Sequence, residues 1–336
     1  MRVAINGFGR IGRLCFRSLR KRYPGIEIVA INDLTDPAHN AHLLKYDTNY
    51  GPYDGTVSAD GRSLIVDGER IDIYAERDWT NLPWRDLGID VVIEATGVGT
   101  KREFAERHLA AGARRVVISA PSSDADVMIV LGVNDENFDP ASHRIVSNAS
   151  CTTNGLAPAV KVVHDNFGIR KGQMTTVHAY TSSQSLVDTA TSDLRDARAA
   201  GGNIVPAATG AARAIGQVIP DLNGRLDGAA YRVPTATVSI VEFVVELDRE
   251  TDADEINRTL RAASQNHLSG ILDVSDEPLV SADLKGNEHS SIVDSASTMV
   301  VGGNLAKIAA WYDNEWGYAS RLADVVNLIG CDTAQN

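Results

Sequence analysis

Short apolar runs alternate with amphipathic stretches along the first half of the chain. The runs occupy residues 3–6, 28–31, 90–95, 116–118, 128–131 and 145–146. Each is short enough for a buried parallel strand, and residues 13–20 and 101–111 between them have helical character. This alternation of strands and helices predicts a doubly wound parallel sheet, which binds ligands at the carboxyl ends of its strands.

The pattern changes at two further places. Residues 57–61 and 64–70 predict a small antiparallel hairpin, inserted in the first domain. In the second half, three runs predict strands, at residues 172–178, 238–247 and 305–312. Residues 252–266 and 316–329 predict helices, the second with an apolar face that packs on the first domain, whereas residues 180–205 show little periodicity.

A glycine-rich turn connects the first predicted strand to the first helix. Gly7, Gly9 and Gly12 have the spacing that permits a tight turn, close approach of a pyrophosphate and packing of the helix on the strand. Asp33 ends the next strand about 20 residues later, where a ribose-binding acid belongs. The order predicts dinucleotide binding, and without the glycines Asp33 would be read as a solvated loop carboxylate. The remaining candidate cofactor residues are Arg10, Ile11, Arg77, Thr96, Gly97 and Ser119.

A cysteine marks the start of a predicted helix in the middle of the chain. Cys151 follows the strand at 145–146, and the N-terminus of a helix favours a thiolate and donates N–H groups to an oxyanion. His178, near the end of another strand, is a candidate base. From the pattern alone, a small buried cysteine and a structural histidine remain the alternatives.

Composition limits the classes of partner. The chain has 336 residues, 43% apolar, and a net charge of −12, which argues against nucleic-acid binding through bulk electrostatics. Its three cysteines do not form a disulfide framework or a metal site. We find no secretion signal at the N-terminus and no apolar run long enough to span a membrane, so we expect a cytoplasmic protein.

Seven motifs resemble the glyceraldehyde-3-phosphate dehydrogenase family, in order and at the family's spacing over essentially the whole chain. They are residues 6–13 (NGFGRIGR), 42–47 (HLLKYD), 147–154 (SNASCTTN), 178–181 (HAYT), 209–212 (TGAA), 232–235 (RVPT) and 311–318 (WYDNEWGY). The block around Cys151 is highly specific to this family and its near relatives.

The resemblance implies an NAD-dependent, phosphorylating oxidation of an aldehyde. Cys151 would form a thiohemiacetal and then a thioester with glyceraldehyde 3-phosphate, His178 would accept protons, and inorganic phosphate would release 1,3-bisphosphoglycerate. Thr181, Arg195 and Arg232 resemble ligands of the substrate phosphate. An alternative for Arg195 is a surface cluster of charges. The residues that resemble the family's site for the attacking phosphate are Ser150, Thr152, Thr209 and Gly210.

The resemblance also implies the architecture. It implies an α/β fold, with an N-terminal Rossmann-type doubly wound parallel sheet and an α+β catalytic domain with a mainly antiparallel sheet. The domains would be 1–150 plus 315–336, which bind the dinucleotide, and 151–314. Asn314 resembles the residue that holds the nicotinamide carboxamide, and Tyr318 would pack near that ring or belong to the core. A homotetramer is implied as well.

The chain departs from the family pattern at three places, two of which concern the cofactor. Thr189 and Ala190 follow Asp188 where many strictly NAD-using relatives have Leu-Pro. The carboxylate of Asp33 should nevertheless repel a 2′-phosphate, so we predict NAD with some NADP tolerance. Gly99 stands where many relatives place an aromatic residue near the adenine. Ser183 replaces an acid common in bacterial relatives, and little follows from it.

Two other functions remain as alternatives. Erythrose-4-phosphate dehydrogenase shares the cysteine block, although its relatives tend to carry Glu at the position of Asp33 and a different sequence after the histidine. A redox-sensing or interaction protein could keep the fold without turnover. The complete set of Cys151, His178, Arg232 and Asn314 speaks against that second alternative.

Overall fold

The computed structural model describes residues 1–331 and shows two compact units. Unit 1 comprises Met1–Ile129, Asp135–Ala149 and the described residues from Ala319 onward; unit 2 comprises Val130–Asn134 and Ser150–Tyr318. No helix among the described residues is both long and apolar enough to cross a membrane.

These units differ from the predicted domains at three places: residues 130–134, residue 150 and residues 315–318. Gly132 lies against Leu268 in unit 2, so the turn that contains it belongs there. Residues 315 and 316 donate their backbone N–H groups to Asp313 Oδ1, at 3.0 and 2.9 Å, and so begin the last helix within unit 2. The functional division of the chain into two domains stays a prediction.

Unit 1 is built on one nine-stranded sheet. Its strands are β1 (Arg2–Asn6), β2 (Glu27–Asn32), β3 (Val57–Asp60), β4 (Ser63–Val66), β5 (Glu69–Tyr74), β6 (Val91–Glu94), β7 (Arg115–Ile118), β8 (Val127–Met128) and β9 (Ile145–Ser147). The order is β3-β4-β5-β2-β1-β6-β7-β9-β8, parallel from β5 to β8. Its helices are α1 (Arg10–Arg22), α2 (Pro37–Lys45) and α3 (Arg102–Ala110).

The parallel part of this sheet is apolar because it is covered on both faces. Every residue of β6 and β7 is buried, as expected for strands between two layers of helices. The predicted hairpin is confirmed: β3, β4 and β5 are antiparallel, and β5 then joins the main sheet beside β2. The doubly wound prediction is therefore confirmed, with an antiparallel extension at one edge.

One predicted strand, residues 128–131, is shorter in the structure. β8 ends at Met128, although Ile129 still donates its N–H to Ser147 O at 2.8 Å. The chain then turns at Val130, whose N–H is accepted by Asn134 Oδ1 at 2.9 Å. Gly132 supplies the positive φ of 75° inside this turn, so the apolar run cannot continue as a strand.

Unit 2 contains a mainly antiparallel sheet, as predicted. Its strands are β10 (Ile169–Ala179), β11 (Val205–Ala207), β12 (Leu226–Val233), β13 (Ser239–Leu247), β14 (Leu272–Ser275), β15 (Ser291–Asp294), β16 (Met299–Val301) and β17 (Leu305–Tyr312). The order is β11-β12-β10-β13-β17-β15-β14, with β16 beside β17, and only β10–β12 and β14–β15 are parallel among the described pairs. Its helices are α4 (Cys151–Phe167), α5 (Ala211–Val218), α6 (Ala253–Ser264) and the start of α7 (Trp316–Cys331).

The long helix α4 covers this sheet. It packs on β10, β13, β15 and β17, while alternate residues of β13 are buried, which is the pattern of a strand with one covered face.

The predicted final helix is α7, and its residues Leu322, Val325, Val326 and Ile329 are fully buried in unit 1. Residues 180–204 form turns and one short 3₁₀ helix, in line with their lack of periodicity. The 3₁₀ helices are Trp79–Asn81, Asp135–Asn137, Ala200–Gly202, Pro220–Leu222, Ser281–Leu284 and Ser295–Ser297.

Candidate active site

The thiol of Cys151 lies at the N-terminus of α4. Ala149 has a φ of +54°, a left-handed conformation that is uncommon outside glycine, and it turns the chain from β9 into the helix. Ser150 caps the helix, because its hydroxyl accepts the N–H of Thr153 at 3.0 Å. The N–H groups of Cys151 and Thr152, which precede Thr153 in the first turn, have no intrahelical acceptor and can donate to an anionic group at the thiol.

His178 faces this thiol from the end of β10. Its Nε2 is 3.5 Å from Cys151 Sγ, and its Nδ1 is 2.7 Å from the carbonyl oxygen of Ala179. Because a carbonyl can only accept, Nδ1 must carry the proton and Nε2 is left as the acceptor that faces the thiol. The structure thus brings the predicted nucleophile and base together in the required tautomer.

Arg232 places a positive charge beside this pair. It is the register partner of His178 in the parallel pair β10–β12. Burial, assisted by the charge of Arg232, lowers the pKa of His178 to about 3. Burial also raises the pKa of the Cys151 thiol, against the opposing effects of Arg232 and of hydrogen bonds from Thr152.

These directions differ from the sequence-based expectation that the helix N-terminus favours a thiolate. The desolvation of a buried thiol outweighs the helix and the arginine in this structure. Both pKa shifts favour the neutral forms of the thiol and the imidazole, and Nε2 of the imidazole faces the thiol as the proton acceptor when the sulfur attacks an electrophile.

Acidification should destabilise the folded protein through His178. Its folded pKa of about 3 lies below its ordinary value of 6.5, so the unfolded chain binds a proton that the folded chain excludes. The free energy of unfolding then falls as the pH drops through 6.5 and stops falling near the folded pKa. Between pH 6.5 and 5 this contribution is about 2 kcal/mol. Urea unfolding of wild type and His178→Asn should show it as a pH-dependent difference, and a constant difference would contradict the assignment.

Several predicted anion ligands lie at helix N-termini. Ser150 and Thr152 begin α4, and Thr209 and Gly210 precede α5, where Thr209 Oγ1 accepts the N–H of Ala211 at 3.2 Å. Each of these helix N-termini therefore brings backbone N–H groups and hydroxyl groups together, a combination that suits phosphate.

The other two predicted anion ligands lie near β11 and after β10. The guanidinium of Arg195 donates to Pro206 O at 3.4 Å, next to Val205, which pairs with Arg232 across β11–β12. Its neighbour Arg198, by contrast, forms an ion pair with Asp188 at 3.0 Å. Thr181 follows β10, and its hydroxyl lies 3.1 Å from the hydroxyl of Ser183. The Arg195 guanidinium is thus directed toward β11, the strand that pairs with β12 at Arg232.

Tyr312 is a buried residue of this site that the sequence did not single out. Its hydroxyl lies 2.9 Å from Thr152 Oγ1 and 2.8 Å from Thr176 Oγ1, and its ring meets the imidazole of His178 edge-on at 5.9 Å. A Cβ on Gly155 would lie 2.8 Å from this ring, so α4 needs glycine there. The motif 311–318 contained this tyrosine, but only tertiary packing reveals its contacts.

The glycine turn of unit 1 has the predicted close approaches. Gly7 has a φ of +90°, and a Cβ on it would lie 2.6 Å from the backbone N of Thr96. A Cβ on Gly12 would lie 2.2 Å from Gly7 O, whereas Gly9 has open space around it. Asp33 Oδ2 accepts the N–H of Phe8 at 2.7 Å, so the candidate ribose acid lies beside the turn. These residues fit a dinucleotide: the turn is packed tightly from behind and open at Gly9.

The other candidate cofactor residues are placed less uniformly. Thr96 and Gly97 follow β6, and Ser119 follows the neighbouring strand β7, so they share one edge of the sheet. The guanidinium of Arg10, next to Ile11 in α1, forms an ion pair with Asp47 at 2.5 Å. Arg77 is exposed after β5, and within residues 1–331 its side chain forms no hydrogen bond or ion pair.

A buried polar network supports the Thr96 turn. Glu94 is 2% exposed. Its Oε1 accepts hydrogen bonds from the backbone N–H of Thr96, at 2.9 Å, and from the hydroxyl of Thr96. Its Oε2 lies 2.5 Å from Asn6 Nδ2 and 3.3 Å from His108 Nε2. Trp84 donates its indole N–H to His108 Nδ1 at 3.0 Å, so Nε2 carries the proton and donates to Glu94. A Cβ on Gly99 would lie 2.6 Å from Glu94 Cδ, so any larger side chain at this position requires the carboxylate to move.

Removal of Glu94 should cost stability. Glu94→Ala leaves the buried donors of Asn6 and His108 unpaired, and we expect a loss of about 2–4 kcal/mol in the free energy of unfolding. Glu106 provides a matched control, because it is an exposed glutamate on α3 whose ion pair with Arg102 is 3.6 Å long. Glu106→Ala should change stability by less than about 0.5 kcal/mol. Urea unfolding measures both, and equal losses would contradict the role of Glu94.

Asn314 and Tyr318 follow β17 in unit 2. Asn314 is buried, and its Oδ1 accepts the hydroxyl hydrogen of Ser239 at 2.9 Å. Tyr318 is also buried, in the first turns of α7.

Comparison with known proteins finds similarity over nearly the whole chain. The model for the NAD binding domain of glyceraldehyde 3-phosphate dehydrogenase matches residues 1–102, and the model for its C-terminal domain matches residues 150–314. The chain belongs to the glyceraldehyde-3-phosphate dehydrogenase family. This confirms the resemblance that the motifs indicated, and the matched NAD binding domain supports NAD as the cofactor.

Curated relatives align over almost their full length. Glyceraldehyde-3-phosphate dehydrogenase of Geobacillus stearothermophilus is 52% identical over 98% of each chain. The enzyme of the same name from Priestia megaterium and glyceraldehyde-3-phosphate dehydrogenase 1 of Bacillus subtilis are each 51% identical, again over 98% of both chains. The similarity to this family therefore extends over the residues of both units.

Proposed function

We propose that the protein is an NAD-dependent, phosphorylating glyceraldehyde-3-phosphate dehydrogenase. The observation that carries this proposal is the 3.5 Å approach of His178 Nε2 to Cys151 Sγ at the N-terminus of α4, in a chain of this family. The pair has a nucleophile, a base in the right tautomer and helical N–H donors for an oxyanion.

The reaction begins with attack of sulfur on the aldehyde carbon. As the S–C bond forms, the thiol proton passes to His178 Nε2, and the carbonyl oxygen becomes the hydroxyl of a thiohemiacetal when a proton is returned to it. His178 then takes that hydroxyl proton, which favours departure of a hydride and leaves a thioester on Cys151. Bound NAD supplies the acceptor for this hydride. Inorganic phosphate attacks the thioester carbonyl, the thiolate leaves and takes the proton held by His178, and 1,3-bisphosphoglycerate is released.

Two groups of residues would bind the anions. Thr181, Arg195 and Arg232 would hold the phosphate of the substrate, supported by the planar guanidinium groups, which match phosphate oxygens. Ser150, Thr152, Thr209 and Gly210 would hold the attacking phosphate at the two helix N-termini. The positive charge of Arg232 would have two roles: it would bind the substrate phosphate, and it favours the neutral form of His178.

The proposed cofactor ligands are the residues predicted from the sequence. Gly7, Gly9, Arg10, Ile11 and Gly12 would contact the pyrophosphate. Asp33 would bind the ribose, with Arg77, Thr96, Gly97 and Ser119 along the same sheet edge, and Asn314 and Tyr318 would contact the nicotinamide.

The cofactor preference follows from Asp33. Its fixed negative charge should repel a 2′-phosphate, while the small residues Thr189 and Ala190 leave some tolerance. We expect a higher kcat/KM with NAD than with NADP in steady-state kinetics. Asp33→Asn should lower the ratio of kcat/KM with NAD to kcat/KM with NADP. A higher kcat/KM with NADP in the wild type would contradict the prediction.

The assembly we propose is a homotetramer. Leu186 and Leu194 are 87% and 83% exposed in the segment between β10 and β11, and Ile204 is 69% exposed at its end. Large apolar side chains that cluster in one exposed segment are typical of a contact surface. Sedimentation of the full chain tests the assembly, and location in the cytoplasm stays a prediction.

One assay separates this function from its rivals. NADH formation is followed with glyceraldehyde 3-phosphate and with erythrose 4-phosphate, each with and without inorganic phosphate. We expect rapid turnover with glyceraldehyde 3-phosphate that depends on inorganic phosphate. A preference for erythrose 4-phosphate, or no turnover with either aldehyde, would reject the proposal.

A further inference from the structure

A strained corner connects β12 to β13. Val238 is buried and has a φ of +68°, a left-handed conformation that a β-branched residue rarely adopts. The residues on either side are held by neighbours that are consecutive in sequence. Thr237 Oγ1 donates to Asp313 Oδ1 at 3.0 Å, and Ser239 Oγ donates to Asn314 Oδ1 at 2.9 Å. Such strain persists only where the surroundings fix the backbone, which points to a function for the corner.

The hydroxyl of Ser239 has two partners and is 1% exposed. It accepts the backbone N–H of Ala179 at 3.0 Å and donates its own hydrogen to Asn314 Oδ1. The reverse orientation of the Asn314 amide would make Ser239 accept twice and leave its hydroxyl hydrogen without an acceptor in a buried place. Ser239 therefore fixes which end of the amide faces the serine.

This leaves the amide nitrogen of Asn314 as a donor to something else. Asn314 is 5% exposed, and its Nδ2 has no hydrogen-bond partner within residues 1–331. Unlike the fully buried unpaired side-chain atoms, this nitrogen is reached by solvent, so a ligand can accept its hydrogen. The same serine also holds Ala179, whose carbonyl oxygen accepts the Nδ1 hydrogen of His178.

We propose that Ser239 is a positioning residue, which orients Asn314 so that Nδ2 donates to the carbonyl oxygen of the nicotinamide carboxamide. This proposal rests on the proposed function, because it takes Asn314 as a cofactor ligand. The protein then recognises the carbonyl oxygen of the carboxamide and makes no use of its amino group at this position. One serine couples the orientation of the cofactor ligand to the strand that carries the base.

A binding experiment tests this on the full chain. Isothermal titration gives Kd for NAD and for 3-acetylpyridine adenine dinucleotide, which keeps the carbonyl oxygen and replaces the amino group by methyl. Wild type should bind the two within about threefold, because the lost amino group makes no contact with Asn314. Ser239→Ala should weaken both by about 3- to 10-fold, the range expected for one lost hydrogen bond.

Thr237→Val is the matched control. It removes the other buried hydroxyl of the same corner, whose partner is Asp313, and should lower the thermal midpoint while leaving both Kd values within twofold of wild type. Unchanged Kd values in Ser239→Ala with a similar loss of thermal midpoint would overturn the proposal. So would a wild type that binds the acetyl analogue more than about tenfold more weakly than NAD, since Asn314 would then read the amino group.

A double-mutant cycle separates this proposal from the proposed function. If Ser239 acts through Asn314, the effect of Ser239→Ala on the Kd for NAD should disappear in the Asn314→Ala background. An additive effect of the two changes would overturn the positioning role alone. An unchanged Kd in Asn314→Ala would overturn both that role and the assignment of Asn314 as a cofactor ligand.

Discussion

Cys151→Ser is expected to abolish NADH formation while the protein stays folded. A serine hydroxyl is a far weaker acid and nucleophile than a thiol, and the neutral imidazole of His178 is the only base that the structure places against it among the described residues. Without the sulfur no thioester can form. We expect kcat to fall by at least about 10³-fold, measured with glyceraldehyde 3-phosphate, NAD and inorganic phosphate.

Cys15→Ala is the matched control for this substitution. Cys15 is fully buried in α1, and burial holds the pKa of its thiol well above its ordinary value, so it takes no part in chemistry. This variant should lose some stability and keep its kcat. Thermal unfolding shows whether each protein is folded. Near wild-type turnover in folded Cys151→Ser, or an inactive but folded Cys15→Ala, would refute the assignment of the nucleophile.

His178→Asn should lower kcat by about 10²- to 10⁴-fold, the usual contribution of a general base. The amide of asparagine can still donate to Ala179 O in place of Nδ1, but the variant lacks the atom that faces Cys151 Sγ. The thiol should then also react more slowly with iodoacetamide at pH 7. The loss therefore reports on the base and not on the local fold.

His39→Asn serves as the control for this change. His39 is an exposed residue of α2 whose ring lies 3.8 Å from Asp36, and its replacement should leave kcat and alkylation unchanged. The two variants are compared with wild type under identical conditions. If His178→Asn keeps kcat and the alkylation rate within about threefold of wild type, His178 is not the base.

Predictability from sequence differed between features that depend on nearby residues and features that depend on distant ones. Gly7 could be assigned only from the glycine motif, because the backbone that a Cβ there would meet belongs to Thr96 at another strand end. The constraint on Gly12 is local, because a Cβ there would lie 2.2 Å from Gly7 O. The hairpin edge of the sheet, the long helix behind Cys151 and the final helix followed from periodicity for the same reason.

Other features depend on groups that are distant in the sequence. The charge of Arg232 acts on His178 because β10 and β12 pair in one register, and the pKa of Cys151 is governed by burial that no local motif reports. The contacts of Tyr312 and the Ser239–Asn314 hydrogen bond likewise require the packed structure. The sequence therefore identified the reacting groups but not what surrounds them.

The pairing of β10 with β12 has a consequence for which changes in chain length the protein can accept. His178 and Arg232 meet because eight successive residue pairs, from Gly172–Leu226 to Ala179–Val233, stay in step. Side chains alternate between the two faces of a strand, so one inserted or deleted residue in β12 before Arg232 would turn its guanidinium to the opposite face. Insertions and deletions among descendants of this chain should therefore be absent from the two strands.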